Sequence, residues 1–315
     1  MTQDVMNLRI VRRETQADVV IIDLADPGGA DLPAYEAGAH VDVHVGTGLV
    51  RQYSLAGNPA ERRRYRLGIL LDPASRGGSA AIHRTFRVGE SVLVGRPRNH
   101  FPLVLEAAHT VLIGGGIGIT PLLSMAHALL AAGRSFELHY CARDRARAAF
   151  LTELAEPAFA ARTHLHVDDG PADRRLDLAS LSPVAPGTHL YVCGPTGFMD
   201  WVVAGARRAG FAEDRLHRED FKAEIDATGD AFEVVVGDRT VTVPSGLSIV
   251  KALAEAGITV EVSCENGVCG TCLCTVLDGI PDHRDTYLTD EEKQANDQML
   301  LCCSRAKTPQ LVIEL

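Results

Sequence analysis

The sequence predicts a multi-domain protein of mixed α/β and β class, made of an antiparallel β-barrel, a doubly wound parallel α/β domain and a small C-terminal β domain. Residues 1–104 contain short β-type runs separated by turn residues, and residues 105–225 alternate between strand-like and helix-like segments. Residues 232–315 contain a hairpin, a short helix and a loop with three cysteines. The small polar stretch at 226–231 is predicted to link the last two parts.

Composition excludes several classes of protein. No apolar run approaches the length of a membrane span, and the N-terminal sequence MTQDVMNLRIVRRE lacks the apolar core of a signal peptide. We therefore expect a cytoplasmic protein whose 8 cysteines stay reduced, which favours metal or redox roles over disulfides.

The net charge of −10 is concentrated near the C-terminus. Residues 228–315 hold 14 acidic against 6 basic residues, whereas residues 1–227 hold 27 against 25. Such an acidic domain disfavours binding to nucleic acid and suits docking to a basic patch on a protein partner. An acidic surface kept for solubility explains the charge equally well.

The first segment is predicted to be a barrel because its β-type runs are short and end at turn residues. One helix interrupts the runs and is expected to begin near Ser79. The predicted strands are ADVVIIDL, HVDVHV, VRQYSLA, RYRLGILL and SVLVGRP.

The middle segment has the strand–helix alternation of a parallel sheet. HTVLIGGG is an apolar strand that ends in glycines, and TPLLSMAHALLAAG is a helix with Pro121 in its first turn and Gly133 at its end. Further strands are predicted at SFELHYCA, THLHVDDG and THLYVCG. In the last segment, AFEVVVGDRTVTVP is predicted to be a hairpin that turns at Gly237–Asp238, and SIVKALAEAG a short helix.

The loop SCENGVCGTC carries the most specific signal in the chain. Cys264, Cys269 and Cys272 have the spacing of a plant-type [2Fe–2S] site, whose fourth thiolate comes from a remote segment. Gly267 and Gly270 permit positive φ angles and bring backbone N–H groups near the sulfurs. A zinc site is disfavoured, because zinc ligands usually come as two short knuckles.

CENGVCGTC, followed near the C-terminus by LLCCSRA, resembles the plant-type ferredoxins and, more closely, the C-terminal domain of the phthalate dioxygenase and vanillate O-demethylase reductase family. Spacing alone does not separate Cys302 from Cys303 as the fourth ligand. The resemblance implies a β-grasp ferredoxin domain in which Cys302 is the ligand and Cys303 fills a small apolar slot. Cys274, which alternates with Cys272 along a predicted strand, is interpreted as a buried small hydrophobic residue.

A flavin site is expected in the first segment. A [2Fe–2S] cluster accepts one electron at a time, whereas cellular reductant arrives as hydride, so a cofactor that takes two electrons and releases them singly is needed between them. RQYS matches the R-x-Y-S flavin motif, with Arg51 and Tyr53 on one strand face. The Arg51 guanidinium can bind a phosphate through two hydrogen bonds, although a solvated Arg–Tyr pair would show the same pattern.

A second phosphate-binding element follows in SRGGSAAIH. Gly77, Gly78 and Ser79 lead into a helix whose N-terminal N–H groups form an anion site, although a glycine turn with a serine cap would look the same. The family resemblance implies FMN rather than FAD, and it places Ser54 near flavin N5 and Phe221 on the flavin ring. The residues themselves do not exclude an adenine half.

A nicotinamide dinucleotide is expected at VLIGGGIGITP. Its strand, glycine turn and helix let the backbone approach a pyrophosphate, although the spacing departs from G-x-G-x-x-G and tight strand–helix packing would explain it as well. The predicted contacts are Gly114, Gly115, Gly116, Gly118, Thr120 and Pro121. The resemblance makes Thr120 a hydroxyl neighbour of the nicotinamide.

YVCGPTGFMD resembles the C-G-P motif on the nicotinamide side of the same superfamily. The resemblance implies that Cys193, Gly194 and Pro195 border the nicotinamide, although a buried cysteine before a Gly-Pro turn would look identical. Arg143, Asp144 and Arg145 stand together in CARDRARAAF, after the second parallel strand, where a 2′-phosphate usually meets Arg and a free 2′-hydroxyl meets Asp or Glu, so charge leaves NADH and NADPH open. The resemblance favours NADH.

The resemblance covers essentially the whole chain and implies an NADH-dependent iron–sulfur flavoprotein oxidoreductase, monomeric in isolation. The expected catalytic residues are Ser54, Thr120, Cys193 and Phe221. Electrons would pass from NADH through FMN and the cluster to a separate protein, because no cysteine has a histidine two residues later, as a Rieske site would require.

By resemblance, the acceptor is a Rieske non-haem iron oxygenase that acts on an aromatic acid as a ring dioxygenase or O-demethylase. The alternative is a reductase of the same build that serves a cytochrome P450 or another acceptor. A non-catalytic redox sensor would leave the R-x-Y-S and C-G-P motifs unexplained.

Overall fold

The computed structural model of the chain describes residues 5–46, 49–73, 77–169, 171, 175–181, 183–221, 227–262, 265, 267, 270–285 and 287–315. The chain divides into two compact units, Met1–Phe221 and Lys222–Leu315. Within the described ranges, no helix is long and apolar enough to cross a membrane. The boundary predicted near residue 104 falls inside the first unit and stays a prediction.

The first unit begins with a six-stranded antiparallel sheet of spatial order β4-β3-β6-β1-β2-β5. The strands are β1 (Val5–Gln16), β2 (Val19–Ala25), β3 (His40–His44), β4 (Val50–Ser54), β5 (Tyr65–Leu70) and β6 (Ser91–Gly95), with α1 (Gly78–Thr85) between the last two. A backbone bridge between Leu55 and Leu67 joins the end of β4 to β5, which are the two edge strands. The sheet therefore closes into the predicted barrel.

Strand β2 is buried on both faces, which explains its continuous apolar sequence. Val20 and Ile22 belong to the barrel core, whereas Val19 and Ile21 belong to the core shared with the helix α2 (Ile119–Ala131) of the next layer. Burial of each such side chain stabilises the fold by roughly 1.5–3 kcal/mol. One strand thus anchors the barrel to the remainder of the first unit.

The rest of the first unit is a five-stranded parallel sheet of order β11-β10-β7-β8-β9. Its strands are β7 (His109–Gly115), β8 (Phe136–Ala142), β9 (Thr163–Val167), β10 (Thr188–Cys193) and β11 (Leu216–Glu219); besides α2, its helices are α3 (Leu151–Leu154), α4 (Pro157–Ala160) and α5 (Thr196–Ala209). Side chains of α2 pack on one face of the sheet and those of α5 on the other. The predicted doubly wound architecture is confirmed, with the strand order reversing between β7 and β10.

The second unit contains a mixed sheet of order β13-β12-β18-β14-β16 and a two-stranded sheet, β15-β17. The elements are β12 (Phe232–Val236), β13 (Arg239–Val243), α6 (Ile249–Glu255), β14 (Leu273–Asp278), β15 (Pro281–Asp282), α7 (Asp290–Ala295), β16 (Gln298–Leu300), β17 (Arg305–Ala306) and β18 (Gln310–Glu314). Val236 pairs with Arg239, so the hairpin turns at Gly237–Asp238 as predicted. Parallel pairing of β12 with β18 completes the β-grasp sheet.

Two strands of the first unit were not predicted from the sequence patterns. In β1, only Leu8 and Ile10 are buried, and arginine, glutamate and glutamine occupy half of the other positions. The second is β11, which is four residues long and lies at the edge of the parallel sheet, next to β10. Both strands have too few buried apolar side chains to show a period of two.

Candidate flavin, nicotinamide and cluster sites

Arg51 lies against the glycine turn that begins α1. Gly77 adopts a φ of +95°, and a Cβ added to Gly78 would lie 2.7 Å from Arg51 Cγ. The R-x-Y-S strand and the glycine turn are therefore adjacent in space, although they are distant in sequence. A guanidinium beside the first N–H groups of a helix suits a phosphate dianion, so these residues fit the phosphate of a flavin mononucleotide.

Ser79, the third predicted phosphate contact, is buried in the first turn of α1. Its Oγ accepts a hydrogen bond from Asp72 N at 3.3 Å. The hydroxyl therefore fixes the chain that leaves β5, and its contact with phosphate stays a prediction.

Tyr53 and Ser54 project to opposite faces of β4. Burial raises the pKa of Tyr53 to about 12, so the phenol is neutral. Ser54 is also buried and pairs with His40 across the β3–β4 ladder. His40 is buried as well; its Nε2 lies 3.3 Å from Gln52 Nε2, and its ring stacks on His100. An imidazole that sequence analysis did not identify thus lies beside the predicted flavin N5 contact.

The glycine turn after β7 packs directly on the C-G-P segment after β10. Gly114 pairs with Cys193 in register, and a Cβ added to Gly118 would lie 2.2 Å from the Cys193 carbonyl oxygen. Gly116 adopts a φ of +56°. Only glycine fits at position 118, and the two motifs meet at the carboxyl ends of neighbouring strands where the strand order reverses. This crevice is where open α/β sheets bind dinucleotides.

Phe198 lies beneath both glycine segments, although it was not among the contacts predicted from the motif YVCGPTGFMD that contains it. A Cβ added to Gly115 would lie 2.8 Å from its ring, and one added to Gly194 would lie 3.0 Å from it. Pro195 Cδ is 3.2 Å from the same Gly115 position. One aromatic ring thus supports the backbone at the predicted pyrophosphate and nicotinamide contacts.

Thr120 connects the nicotinamide segment to the barrel. Its Oγ1 donates to the Ile117 carbonyl at 2.9 Å, and the side chain is buried together with that of Pro121. A Cβ added to Gly68 on β5 would lie 2.9 Å from Thr120 Cγ2 and 2.8 Å from Phe150 Cζ. The barrel wall therefore touches the turn predicted to hold the nicotinamide, as hydride transfer between the two cofactors requires.

Glu219 is a functional candidate that sequence analysis missed. It pairs with Cys193 across β10–β11, and its Oε2 is inaccessible to solvent with no hydrogen-bond partner among the described residues. The neighbouring Arg218 is engaged by Asp220 at 2.7 Å and Asp200 at 2.8 Å, so it does not neutralise Glu219.

Burial raises the pKa of Glu219 to about 8, with repulsion from Asp220 as a smaller cause. Burial, together with the Glu219 carboxylate, raises the pKa of the Cys193 thiol well above its usual value. The thiol is therefore protonated, and the carboxyl group holds a proton at neutral pH. In the sequence, the only indication of Glu219 was the segment HRED, which places an acidic residue on the strand next to the C-G-P strand.

Asp144, next to Arg143, is bound by Arg147. Asp144 Oδ1 accepts from Arg147 N at 2.9 Å, and Asp144 Oδ2 lies 3.3 Å from Arg147 Nε. Arg143 is exposed at the end of β8. Asp144 thus caps the short helical turn that follows β8, and Arg143 stays the predicted contact with the cofactor ribose.

Cys272 and Cys302, two of the four predicted cluster ligands, are brought together and buried. The Cys302 N–H donates to Cys272 Sγ at 3.4 Å, the type of bond that stabilises cluster thiolates. Cys264 and Cys269 lie outside the described residues. Within those residues no group of three or more His, Cys, Asp or Glu side chains could hold a metal ion, because half of the predicted set is missing from them.

The backbone and the other thiols of the second unit fit a cluster. Gly267 and Gly270 have φ angles of +74° and +75°. Cys303 Sγ lies 3.8 Å from Ser304 Oγ, and a Cβ added to Gly267 would lie 2.6 Å from that sulfur. Cys274 is buried as predicted, and burial raises the pKa of its thiol to about 12. An unreactive Cys274 and glycines with positive φ leave the remaining thiolates free to converge on iron.

Phe221 is the last residue of the first unit and is 36% exposed. The residues that follow it, 222–226, lie outside the described part of the chain. Its stacking on a flavin ring stays a prediction.

Comparison with known proteins agrees with this geometry. Residues 234–307 match the family "2Fe-2S iron-sulfur cluster binding domain", and residues 112–204 match "Oxidoreductase NAD-binding domain". The chain is 49% identical to the vanillate O-demethylase oxidoreductase of Pseudomonas sp. (strain HR199 / DSM 7063) over 95% of its own length and 96% of the relative.

Two solved structures align along nearly the whole chain. Phthalate dioxygenase reductase, described as a modular structure for electron transfer from pyridine nucleotides to [2Fe–2S], aligns with a TM-score of 0.76 and 37% identity over 99% of this chain and 98% of that one. An intact type IV self-sufficient cytochrome P450 monooxygenase aligns with a TM-score of 0.80 and 38% identity over 99% of this chain and 41% of that one.

Proposed function

Because the chain belongs to the family of vanillate O-demethylase oxidoreductases and phthalate dioxygenase reductases, we propose that it is the reductase component of a Rieske non-haem iron oxygenase system. It is an NADH-dependent iron–sulfur flavoprotein oxidoreductase that uses FMN and a [2Fe–2S] cluster. We further propose that it works in the cytoplasm as a monomer between encounters with its partner.

One observation gives the proposal its main support: a barrel in which a glycine turn lies against Arg51, a crevice at the carboxyl ends of β7 and β10, and a match to a 2Fe-2S cluster binding domain occur in one chain that aligns with its relatives over nearly its full length. Bound FMN and the cluster would supply the conversion of a hydride into single electrons. The side chains and backbone of this chain would bind and orient the cofactors.

On the flavin side, Arg51 and the N–H groups at Gly78 and Ser79 would bind the phosphate, and the neutral phenol of Tyr53 would pack against the cofactor. Ser54 would donate to flavin N5 from a buried position, with His40 beside it. These roles rest on the contact of Arg51 with Gly78 and on the burial of Ser54.

On the nicotinamide side, the contact of Gly118 with Cys193 keeps the two backbone segments at a fixed separation. Gly114, Gly115 and Gly116 would admit the pyrophosphate, and Thr120, Cys193, Gly194 and Pro195 would border the ring. The protonated Glu219 beside Cys193 would donate a hydrogen bond to the carboxamide while adding no charge to the site.

In the second unit, Cys264, Cys269, Cys272 and Cys302 would hold the cluster. The N–H of Cys302 would stabilise the Cys272 thiolate through the bond observed at 3.4 Å. Such N–H groups favour the reduced, more negative state and so raise the potential of the site.

The alternative acceptor is a cytochrome P450. It is supported by one specific observation, the alignment of the whole chain with part of a self-sufficient cytochrome P450 monooxygenase. In that protein the matching region accounts for 41% of the chain.

The test combines the purified holoprotein with NADH and, in separate reactions, with a vanillate O-demethylase oxygenase component or a cytochrome P450. The readout is turnover of the acceptor's substrate. The proposal expects product formation with the oxygenase and none with the P450. Turnover with the P450 alone would replace the proposal by the alternative. Extraction of FAD instead of FMN would contradict the cofactor assignment, and a dimer on analytical ultracentrifugation would contradict the monomer.

A further inference from the structure

The outward face of β14 presents exposed apolar side chains. Leu273 and Leu277 are 38% and 61% exposed, and Thr275 lies exposed between them. The intervening Cys274 and Val276 face the core, as the alternation of a strand requires. We call Leu273, Thr275 and Leu277 the β14 patch.

A register shift makes the patch more prominent. In the pairing of β14 with β18, Val276 opposes Ile313 and Asp278 opposes Val312, so Leu277 is an extra residue without a partner across the ladder. Bulges of this kind redirect a side chain and occur often beside functional sites. Leu277 is therefore held outward by backbone geometry.

The patch begins at the cluster loop. Leu273 is joined by one peptide bond to Cys272, a predicted ligand. Just before it, a Cβ added to Gly270 would lie 2.4 Å from the ring of Tyr287, which is 37% exposed. Exposed apolar side chains thus extend from the loop along the strand, which is where a partner must approach for rapid electron transfer.

Two exposed acidic residues border the patch. Glu314 pairs with Thr275 in register, Asp278 follows Leu277, and both are exposed. The unit as a whole is acidic, with 14 acidic against 6 basic residues in 228–315. The patch therefore has carboxylates at its edge and lies in a unit of net negative charge.

We propose that the β14 patch is the surface on which the electron-accepting protein docks, and that the partner presents an apolar centre surrounded by lysine and arginine. An apolar centre with a charged rim is the usual anatomy of a specific interface. The acidic residues argue against a second copy of this chain, because a two-fold interface would bring the carboxylates of Glu314 and Asp278 close to those of the other copy. Each encounter transfers one electron, supplied by NADH, to the oxidised centre of the partner.

This inference rests on the proposed function and is tested with the full-length holoprotein. Leu277→Lys removes apolar area and places a cation against the basic partner, and Glu314→Lys reverses one rim charge. Val88→Lys is the matched control, because Val88 is 59% exposed on a turn of the barrel. The readouts are KM and kcat for the purified oxygenase component, and the rate of ferricyanide reduction.

We expect Leu277→Lys and Glu314→Lys each to raise KM for the oxygenase by about tenfold with kcat nearly unchanged, since the loss is in association. Val88→Lys should leave KM within about twofold, and ferricyanide reduction should be equal in all four proteins. Unchanged KM in both patch variants overturns the proposal.

Two further outcomes also overturn it. A slower reduction of the cluster by NADH in Leu277→Lys, in stopped-flow measurements without acceptor, would assign the patch to internal electron transfer. A wild-type dimer that Leu277→Lys converts to a monomer would assign it to self-association.

Failure of the proposed function is distinguishable from these results. If wild-type protein does not reduce the oxygenase but does reduce cytochrome c, the acceptor class is wrong, and the same KM comparison with this basic protein decides the docking proposal. If it reduces neither, both proposals fall.

Discussion

Glu219 lies directly across the β10–β11 ladder from Cys193, with its Oε2 shielded from solvent and from every described hydrogen-bond donor. An uncharged carboxyl group therefore lies next to the segment predicted to border the nicotinamide. The arrangement is costly when the acid ionises, because a buried carboxylate without a partner is poorly solvated. It gives the first unit a dependence of stability on pH that most carboxyl groups do not produce.

Glu219→Gln should remove this dependence. The pKa of the acid is raised from 4.5 to about 8, so the stabilisation is complete below about pH 4.5 and is lost as the pH rises toward 8, where only the unfolded chain has ionised. Each unit of difference corresponds to about 1.4 kcal/mol, so wild type should lose a few kcal/mol across this window and the variant much less. Urea unfolding at pH 5 and pH 8 measures the change in the free energy of unfolding. It is followed by the fluorescence of Trp201, the single tryptophan of the sequence.

The matched control is Glu213→Gln on the surface of the same unit. Glu213 is exposed, and its hydrogen bond with Arg207 lowers its pKa. This variant should keep the wild-type decline of stability between the two pH values. An equal decline in Glu219→Gln and wild type would contradict a neutral Glu219.

Arg51→Ala should weaken binding of FMN but not of riboflavin. The guanidinium lies on the glycine turn of α1, and the two flavins differ only in the phosphate it is proposed to bind. Loss of charge-assisted hydrogen bonds of about 1.5–3 kcal/mol should raise the dissociation constant for FMN by roughly 10- to 150-fold. Fluorescence titration of the apoprotein gives both constants, with the exposed Arg9→Ala as the control. An equal effect on both flavins would place Arg51 away from the phosphate.

Substitution of the adjacent cysteines should identify the fourth cluster ligand. Cys302→Ser should abolish the visible absorbance and the iron content of the second unit, because four thiolates are needed to hold the cluster. Cys303→Ser should keep both, since its Sγ lies beside Ser304 Oγ at 3.8 Å. Iron analysis and visible spectra of anaerobically purified proteins provide the comparison. The opposite pattern would transfer the ligand role to Cys303.

Arg66→Met should destabilise the first unit by about 3 kcal/mol. Arg66 Nε lies 2.8 Å from the fully buried Asp23, and its Nη1 lies 3.1 Å from Glu153, so it neutralises a buried charge and joins β5 to α3. Hydrogen bonding to Asp23 raises the pKa of Arg66, which agrees with a strong pair. Urea unfolding followed by Trp201 fluorescence measures the loss. Arg64 is half-exposed and lies 3.6 Å from Asp23, so Arg64→Met should lower the free energy of unfolding by less than about 1 kcal/mol. Equal losses in the two variants would mean that Arg66 is not the main partner of Asp23.

Sequence reasoning predicted the parts of the fold where local chemistry and tertiary structure agree. The apolar run of β2 and the helix around Pro121 follow from periodicity, and the turn at Gly237–Asp238 follows from residue type. The glycines at 114–118 are also intelligible in advance, although only the structure shows that Gly118 is forced by the Cys193 carbonyl.

The residues missed by sequence reasoning are those whose role depends on a neighbour from another segment. Glu219 is unusual because β11 places it beside Cys193, and His40 because β3 places it beside Ser54. Leu277 in isolation is an ordinary strand residue, and only the pairing of β14 with β18 shows that it is an extra residue in the ladder. Such pairings are set by strand register, which no local pattern in these segments specifies.

Electron paramagnetic resonance of the anaerobic, NADH-reduced holoprotein shows whether electrons from NADH reach a [2Fe–2S] cluster in this chain. We expect the signal of a reduced [2Fe–2S] centre that integrates to about one spin per chain. A sample with full flavin content that reacts with NADH but shows no such signal would mean that the chain does not pass electrons from flavin to a cluster.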